Sequence, residues 1–345
     1  MTKYILRRIL QAIPLLFIIS LVLFLLLRNM GDPIAAMAGR RVTRAEDQIR
    51  LKRQLGLDQP VYMQYIYWLI GNDWTKTDIN GDGIPETQGT RKGIIRGDFG
   101  TSLVNRGVPA LRLIAERLPN TLILMLVSEV VIILGSLIIG VYSAVRQYSA
   151  LDNIMTGLSF IAYSMPIFFV ALISMYVFGY LFKKWGLPYL PTVGMFDPNY
   201  GKTPLQVGLH LILPTFSMSL ISFAAYSRYI RSTMLEVMNQ DYIRTAKSKG
   251  LPKPSIIFVH ALKNASLPIV TVVGLDLPLL LGGALVTEQI FAWPGMGRLF
   301  LDHLARVDIS VVMGILMMIA VAVVLFQIIT DVVYAWLDPR IRYGT

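Results

Sequence analysis

Four acidic side chains stand inside or at the rim of long apolar runs: Glu129, Asp276, Glu288 and Asp331. An ionisable group in hydrocarbon is costly, so each must face a cavity, a partner or a hydrogen-bond donor. Asp276, two residues before Pro278, suits either the wall of a translocation path or a buried bond between helices. Glu129 and Glu288 are the other path candidates: Glu129 leans toward a structural role, whereas Glu288 precedes a Trp-Pro-Gly turn and also suits a gate or docking contact. Asp331, close to the end of its run, suits a helix interface or a headgroup contact. A further acidic set has different chemistry. Asp78-Ile-Asn80-Gly-Asp82-Gly83-Ile-Pro-Glu86 puts oxygen ligands at alternating positions before a glycine, the first half of a calcium loop over 78–89. Asp78, Asn80, Asp82 and Glu86 are the candidate ligands. The twelfth position, normally a bidentate carboxylate, falls on Gly89, and the competing reading is an Asx-rich turn.

No catalytic set is visible. His210, His260 and His303 are scattered, cysteine is absent, and no Ser/His/Asp or metal-hydrolase spacing occurs. The nearest approach to a phosphate-binding loop is Gly201-Lys202-Thr203, but its earlier glycine would have to stand at 196, which is Phe196. The chain is therefore expected to be no enzyme and to hold no cofactor of its own, calcium at 78–89 apart.

The elements that must position these residues follow from composition. With 54% hydrophobic and 15% charged residues and a mean hydropathy of +0.58, the 345 residues carry more apolar side chain than a soluble domain can hide. The reading is an all-α integral membrane protein with six transmembrane helices, at about 9–27, 120–145, 153–182, 207–229, 267–290 and 311–337. The alternating ten-residue segments of a β-barrel are absent. A net charge of +11 fits loops against anionic lipid headgroups, and no nucleic acid is expected as a partner. Lys3, Arg7 and Arg8 precede the first run as in a signal peptide, and Ala36-Met37-Ala38 offers a cleavage pattern. The run is too long for that and the triplet too distant, so an uncleaved helix over 1–28 is expected.

Orientation follows from charges in short loops. One side collects thirteen: Lys3, Arg7, Arg8, Arg146, Arg228, Arg231, Arg244, Lys247, Lys249, Lys253, Lys263, Arg340 and Arg342. The opposite short loops hold five: Lys183, Lys184, Lys202, Arg298 and Arg306. Both termini, with the tail 338–345, are thus expected in the cytoplasm, and segment 29–119 outside. That segment is too long for a bare connection. Thr43-Arg-Ala-Glu46 reads as a capping box and Gly56 as the stop of the helix it starts. A second short helix should begin near Pro60, with Tyr62, Tyr65, Tyr67 and Trp68 suited to the membrane interface. A structural cap is favoured over direct ligand binding for this segment.

Within the domain 120–337, the loop 238–266 is polar, basic and helix-forming. Asp241 can cap a short helix through Ile243, Thr245, Ala246 and Lys249, and Gly250 supplies the left-handed residue that ends it. Leu251-Pro252-Lys253-Pro254 forces a bend, and Ser255 can cap a second helix running into the fifth span. The result is an elbow with a small alanine face and a basic face, suited to a partner's groove.

Here the residues resemble a known family. Arg244-Thr245-Ala246-x-x-x-Gly250 followed by Leu267-Pro268 looks like the EAA loop of bacterial ABC importer permeases. Arg244 replaces the usual Glu and the distance to Leu267-Pro268 is long, as in the peptide, dipeptide and nickel branch. Gly31-Asp32-Pro33, Leu55-Gly-Leu-Asp-Gln-Pro60, Gly97-Asp-Phe-Gly-Thr-Ser102, Glu116-Arg-Leu-Pro-Asn-Thr121, Ala292-Trp-Pro-Gly-Met-Gly-Arg298 and Leu337-Asp-Pro-Arg340 extend the match along nearly the whole chain. Together they resemble the B-type permease subunit of oligopeptide and dipeptide importers, with the insertion at about 72–96 as the departure. The resemblance implies a type I importer fold in a bacterial or archaeal inner membrane, with large segment 29–119 between helices 1 and 2. It implies a heterodimer with a homologous permease, two ATPases holding ATP-Mg, and an extracytoplasmic binding protein. It makes Asp241, Arg244, Thr245, Ala246, Lys247, Lys249 and Gly250 the ATPase-coupling residues. Short peptides are the implied cargo. The same machine carrying oligosaccharides or nickel chelates is the nearest alternative, and a stand-alone channel or carrier the more distant one.

Overall fold

The computed structural model describes residues 2–31, 34, 45–79, 84–105, 107–266, 269–270, 272–274, 276 and 283–337. Among them, five helices are long and apolar enough to cross a membrane: Ile5–Arg28, Ala110–Val145, Ile167–Lys184, Pro204–Met238 and Ile309–Val333. In chain order the helices are α1 (Thr2–Arg28), α2 (Ala45–Gln54), α3 (Val61–Ile70), α4 (Ala110–Val145), α5 (Ala150–Ser164) and α6 (Ile167–Lys184). They continue as α7 (Pro204–Met238), α8 (Asp241–Ser248), α9 (253–265), α10 (Leu285–Ile290), α11 (Met296–Leu304) and α12 (Ile309–Leu337).

Two expected spans are interrupted, each for a local reason. The run 153–182 is not one helix, because Pro166 lacks an N–H and pushes the preceding residue out of the helical region. Met165 is accordingly extended, at φ −85° and ψ 131°, and separates α5 from α6. The run 267–290 is likewise not continuous. Residues 269–270, 272–274 and 276 are helical, but Gly283 takes φ +84° and α10 starts afresh after it. Leu267 and Pro268 lie outside the described residues. The second span begins ten residues earlier than expected, at Ala110, so α4 is about 54 Å long.

Contacts divide the chain into two compact units, Met1–Pro119 with Arg298–Ala322, and Asn120–Gly297 with Val323–Thr345. In the first, Phe24 and Leu27 of α1, Tyr65 of α3 and Val312, Met313 and Met317 of α12 form one core. Tyr65 is therefore buried, its hydroxyl 2.8 Å from Ser20 Oγ, and does not serve as an interfacial anchor; Tyr62 is exposed. Helix α2 ends as the sequence suggests: Gly56 has φ +70°, with Gly56 N bonded to Arg53 O and Leu57 N to Lys52 O. Thr43 of the expected capping box lies outside the described residues. Segment 72–96 forms a small antiparallel hairpin, β1 (Lys76–Thr77) against β2 (Thr87–Gln88). Arg96 ties its base down, its guanidinium bonded to both oxygens of Asp73 and to Ile70 O. These bonds hold the Asp73 carboxyl below the usual carboxylate range.

In the second unit α5 packs along α7. Arg231 of α7 donates from Nε and Nη2 to the carboxylate of Asp152, which is 2% exposed and also accepts Tyr148 N. This forked contact holds the Asp152 carboxyl below its ordinary pKa. Arg228 lies over the rings of Phe160 and Tyr163.

Candidate functional site

The elbow begins one residue earlier than a cap at Asp241 would place it. Gln240 occupies the cap position without a side-chain bond, and Asp241 is the first helical residue, where its charge favours the positive helix end. Gly250 takes φ +74° at the other end, with Gly250 N bonded to Lys247 O and Leu251 N to Ala246 O. Pro252, not Ser255, then caps α9, and Ser255 is a residue of its first turn. The face of α8 toward the chain is apolar: Ile243 and Ala246 are buried with Ile230, Met234, Ile256, Ala261, Ala265 and Ile269. Ala246 thus seats the helix on its own chain and does not present a small face outward. Asp241, Tyr242, Arg244, Thr245, Lys247, Ser248, Lys249 and Gly250 are all exposed. An eight-residue helix fixed on one side offers a basic, hydroxyl-rich strip on the other.

Glu288 is wholly enclosed and lines no open space in this chain. Thr121 Oγ1 donates to its carboxylate at 2.8 Å and accepts Met296 N at 2.7 Å. Trp293 Nε1 donates to Asn120 O, and Asn120 Nδ2 returns a bond to Pro294 O. A side chain at Gly295 would strike the Glu288 carboxylate, so the glycines of the 292–298 motif make room for the acid. Asn120 and Thr121, at the end of the Glu116–Thr121 motif, are the residues it meets. Sequence reasoning recorded both motifs without the means to pair them.

Glu129 and Asp276 come together in a different way. Tyr226 of α7 donates to Asp276 Oδ2 at 2.5 Å, so the bond between helices weighed for Asp276 is present. Glu129 is buried within electrostatic range of both Asp276 and Tyr226, and its Oε1 has no hydrogen-bond partner among the described residues. Tyr226 was not legible as a site residue, since a tyrosine inside an apolar helix carries no signal in itself. Asp331 is half-buried.

Of the calcium-loop residues, Asp78 and Glu86 flank the hairpin connection, while Asn80 and Asp82 lie outside the described residues. Among the described residues no group of three or more His, Asp or Glu is placed to hold a metal. Gly89 abuts the backbone and side chain of Asn72, which leaves no room for the carboxylate a calcium loop has at that position. In the first unit, Ser102, His303 and Asp308 cluster, but Ser102 Oγ donates to Asp308 Oδ2 and all three are enclosed. His303 Nε2 is 3.9 Å from that oxygen, so the cluster presents no activated nucleophile.

Comparison with known proteins identifies the scaffold. Residues 136–343 match the model of the binding-protein-dependent transport system inner membrane component, and residues 1–125 match the N-terminal model for the membrane component of such systems. The oligopeptide transport system permease protein AppB of Bacillus subtilis is 40% identical over 344 residues, covering 99% of this chain and 100% of that protein. The dipeptide transport system permease protein DppB of Escherichia coli K12 is 34% identical over 360 residues, with 99% of each chain covered. A probable peptide ABC transporter permease, y4tP of Sinorhizobium fredii, is 34% identical over 345 residues, with 99% and 100% covered.

Proposed function

The chain belongs to the binding-protein-dependent transport system inner membrane component family, and from that premise we propose that it is a permease subunit of an ATP-driven importer of short peptides. It spans the membrane six times, the five long helices being joined by a crossing that starts at the helical residues from 269 and stands fifth in chain order, with both termini in the cytoplasm. It pairs with a homologous permease to enclose the path, receives cargo from an extracytoplasmic binding protein and takes its energy from two cytoplasmic ATPases that hold ATP-Mg.

The observation that carries this reading is the two-sidedness of α8. Its buried residues Ile243 and Ala246 share one core with Ala261, Ala265 and Ile269 at the start of the fifth helical run. A push on the exposed face is therefore delivered to a spanning element and is not absorbed by a loose loop. Coupling needs such a packed element with two arrangements, inward-open and outward-open here. A stand-alone channel would have no use for a basic, seated, outward-facing helix.

The test is purification from the native membrane in mild detergent, identification of every co-purifying polypeptide, and reconstitution in vesicles. Two ATPases, a second permease and ATP-dependent accumulation of a labelled tripeptide are expected. Repeated isolation of the chain alone, or uptake independent of ATP, would overturn the reading. Accumulation of an oligosaccharide or a nickel chelate instead would keep the machine and change the cargo.

A further inference from the structure

The N-terminal unit contains a charge that meets no acceptor among the described residues. Arg91 follows the hairpin, and its backbone is committed: its N–H donates to Asn72 Oδ1 and its carbonyl accepts from Asn72 N. Its guanidinium is half-buried, and no acceptor among the described residues bonds to it. The nearest acid, Asp98, is engaged elsewhere, accepting Lys92 N at Oδ2 and Gly100 N at Oδ1, both at 2.9 Å. It lies beyond ion-pair distance of Arg91 and acts on it only through space. Desolvation holds the Arg91 guanidinium below the ordinary arginine pKa, with Asp98 opposing that shift. A buried charge without a partner is costly, and a guanidinium offers a planar fork of five donors that matches a carboxylate.

The surroundings define the visitor. Arg91 lines a cavity of about 220 Å³ whose other walls include Gln54, Asn72, Thr77, Gln88 and Asp98, groups suited to peptide N–H and C=O. Arg91 and Leu55 also line a second cavity of about 70 Å³, walled by Phe24, Tyr67 and Trp68, with Arg28 at its edge. A single carboxylate is thus placed between a polar chamber and a smaller aromatic one. Asp98 in the polar wall disfavours a doubly charged anion such as phosphate.

We propose that Arg91 and its two cavities form a receiving site for the free C-terminal carboxylate of a short peptide, with a small terminal side chain in the aromatic cavity. The site rests on the peptide-import reading and adds to it a place where the permease itself touches cargo before the membrane path. It also gives the insertion at 72–96 a use that calcium does not.

The experiment uses the full chain in lipid nanodiscs and two fluorescent tripeptides, alanyl-alanyl-alanine with a free C-terminus and the same peptide as its C-terminal amide. Saturable binding of the acid is expected, with the amide at least tenfold weaker. Arg91→Gln should bring the two peptides to equal affinity, and Arg91→Lys, which keeps charge but loses the fork, should retain part of the preference. Equal binding of acid and amide to the wild-type chain, binding of neither, or an undiminished preference in Arg91→Gln would each overturn the proposal. The acid and amide comparison on the wild-type chain needs no variant, so a folding defect in Arg91→Gln cannot shield it. If Arg91→Gln leaves peptide binding intact but weakens capture of the binding protein, the carboxylate belongs to that protein and the proposal fails. Uptake by the purified assembly separates the two readings: uptake without an acid preference removes only the site, whereas an acid preference without uptake removes only the import reading.

Discussion

Two carboxylates buried in apolar surroundings, Glu288 and Glu129, look alike in the sequence and are treated in opposite ways by the fold. Glu288 is enclosed by glycines that make room for it, bonded by Thr121 and linked through that hydroxyl to the backbone of Met296. Glu129 lies within electrostatic range of another acid and a tyrosine, with one oxygen unbonded among the described residues. The first is part of what holds the 283–297 turn against the start of the spanning part of α4. The second has no such support, so its charged form adds nothing to stability. Burial alone therefore does not say what an acid contributes to the fold; hydrogen-bond satisfaction does.

The comparison can be broken by substitution. The largest effect is expected for Glu288→Ala, which empties the glycine cradle and leaves Thr121 without its acceptor. A loss of about 3–5 kcal/mol is expected, read as poor recovery and a lowered unfolding midpoint in detergent. Glu129→Gln should cost less than about 1 kcal/mol, or stabilise, because it removes an unpaired buried charge, while changing the rate of uptake. Equal destabilisation by the two variants would erase the distinction. Next in size, Gly250→Val places a β-branched residue at φ +74° and should fray the end of α8 at a cost of about 1–2 kcal/mol. Since nothing crowds that position, the fold should persist while peptide uptake falls at least tenfold and ATP hydrolysis continues. Normal uptake would mean the elbow is not the coupling element.

The smallest effect sharpens the contrast at a third acid. Asp152 has its pKa depressed in the folded state, chiefly by Arg231. Its contribution is therefore fully present above the unfolded carboxylate pKa, about 3.9, and is lost as pH falls through the lower folded value. The unfolding midpoint should drop below about pH 4 in the wild type. In Asp152→Asn it should be a few degrees lower at neutral pH and flatter across the acid range. A variant that tracks the wild type at every pH would remove the ion pair as a contributor.

Much of the architecture was legible because its signals are local. Apolar runs of the right length marked four of the five crossings now described, and Gly56, Pro60 and Gly250 punctuate helices where their backbone chemistry requires. Pro166 was equally visible, yet the apolar run around it is unbroken in hydropathy, which hid the division between α5 and α6. The elbow was legible as a basic helical loop. That Ala246 faces inward was not, because an alanine between charged residues suits a partner's groove as well as the chain's own core.

What the residues determined alone is the class of molecule: an apolar helical membrane protein, cut into elements by proline, glycine and capping chemistry, and similar along its length to importer permeases. Those properties depend on composition and on neighbours a few positions apart. Only the tertiary structure decided which polar group meets which. The pairings of Thr121 with Glu288, of Tyr226 with Asp276 and of Arg231 with Asp152 join residues remote in the chain. A buried charge is defined by the groups around it, and those are brought to it by packing rather than by order in the sequence.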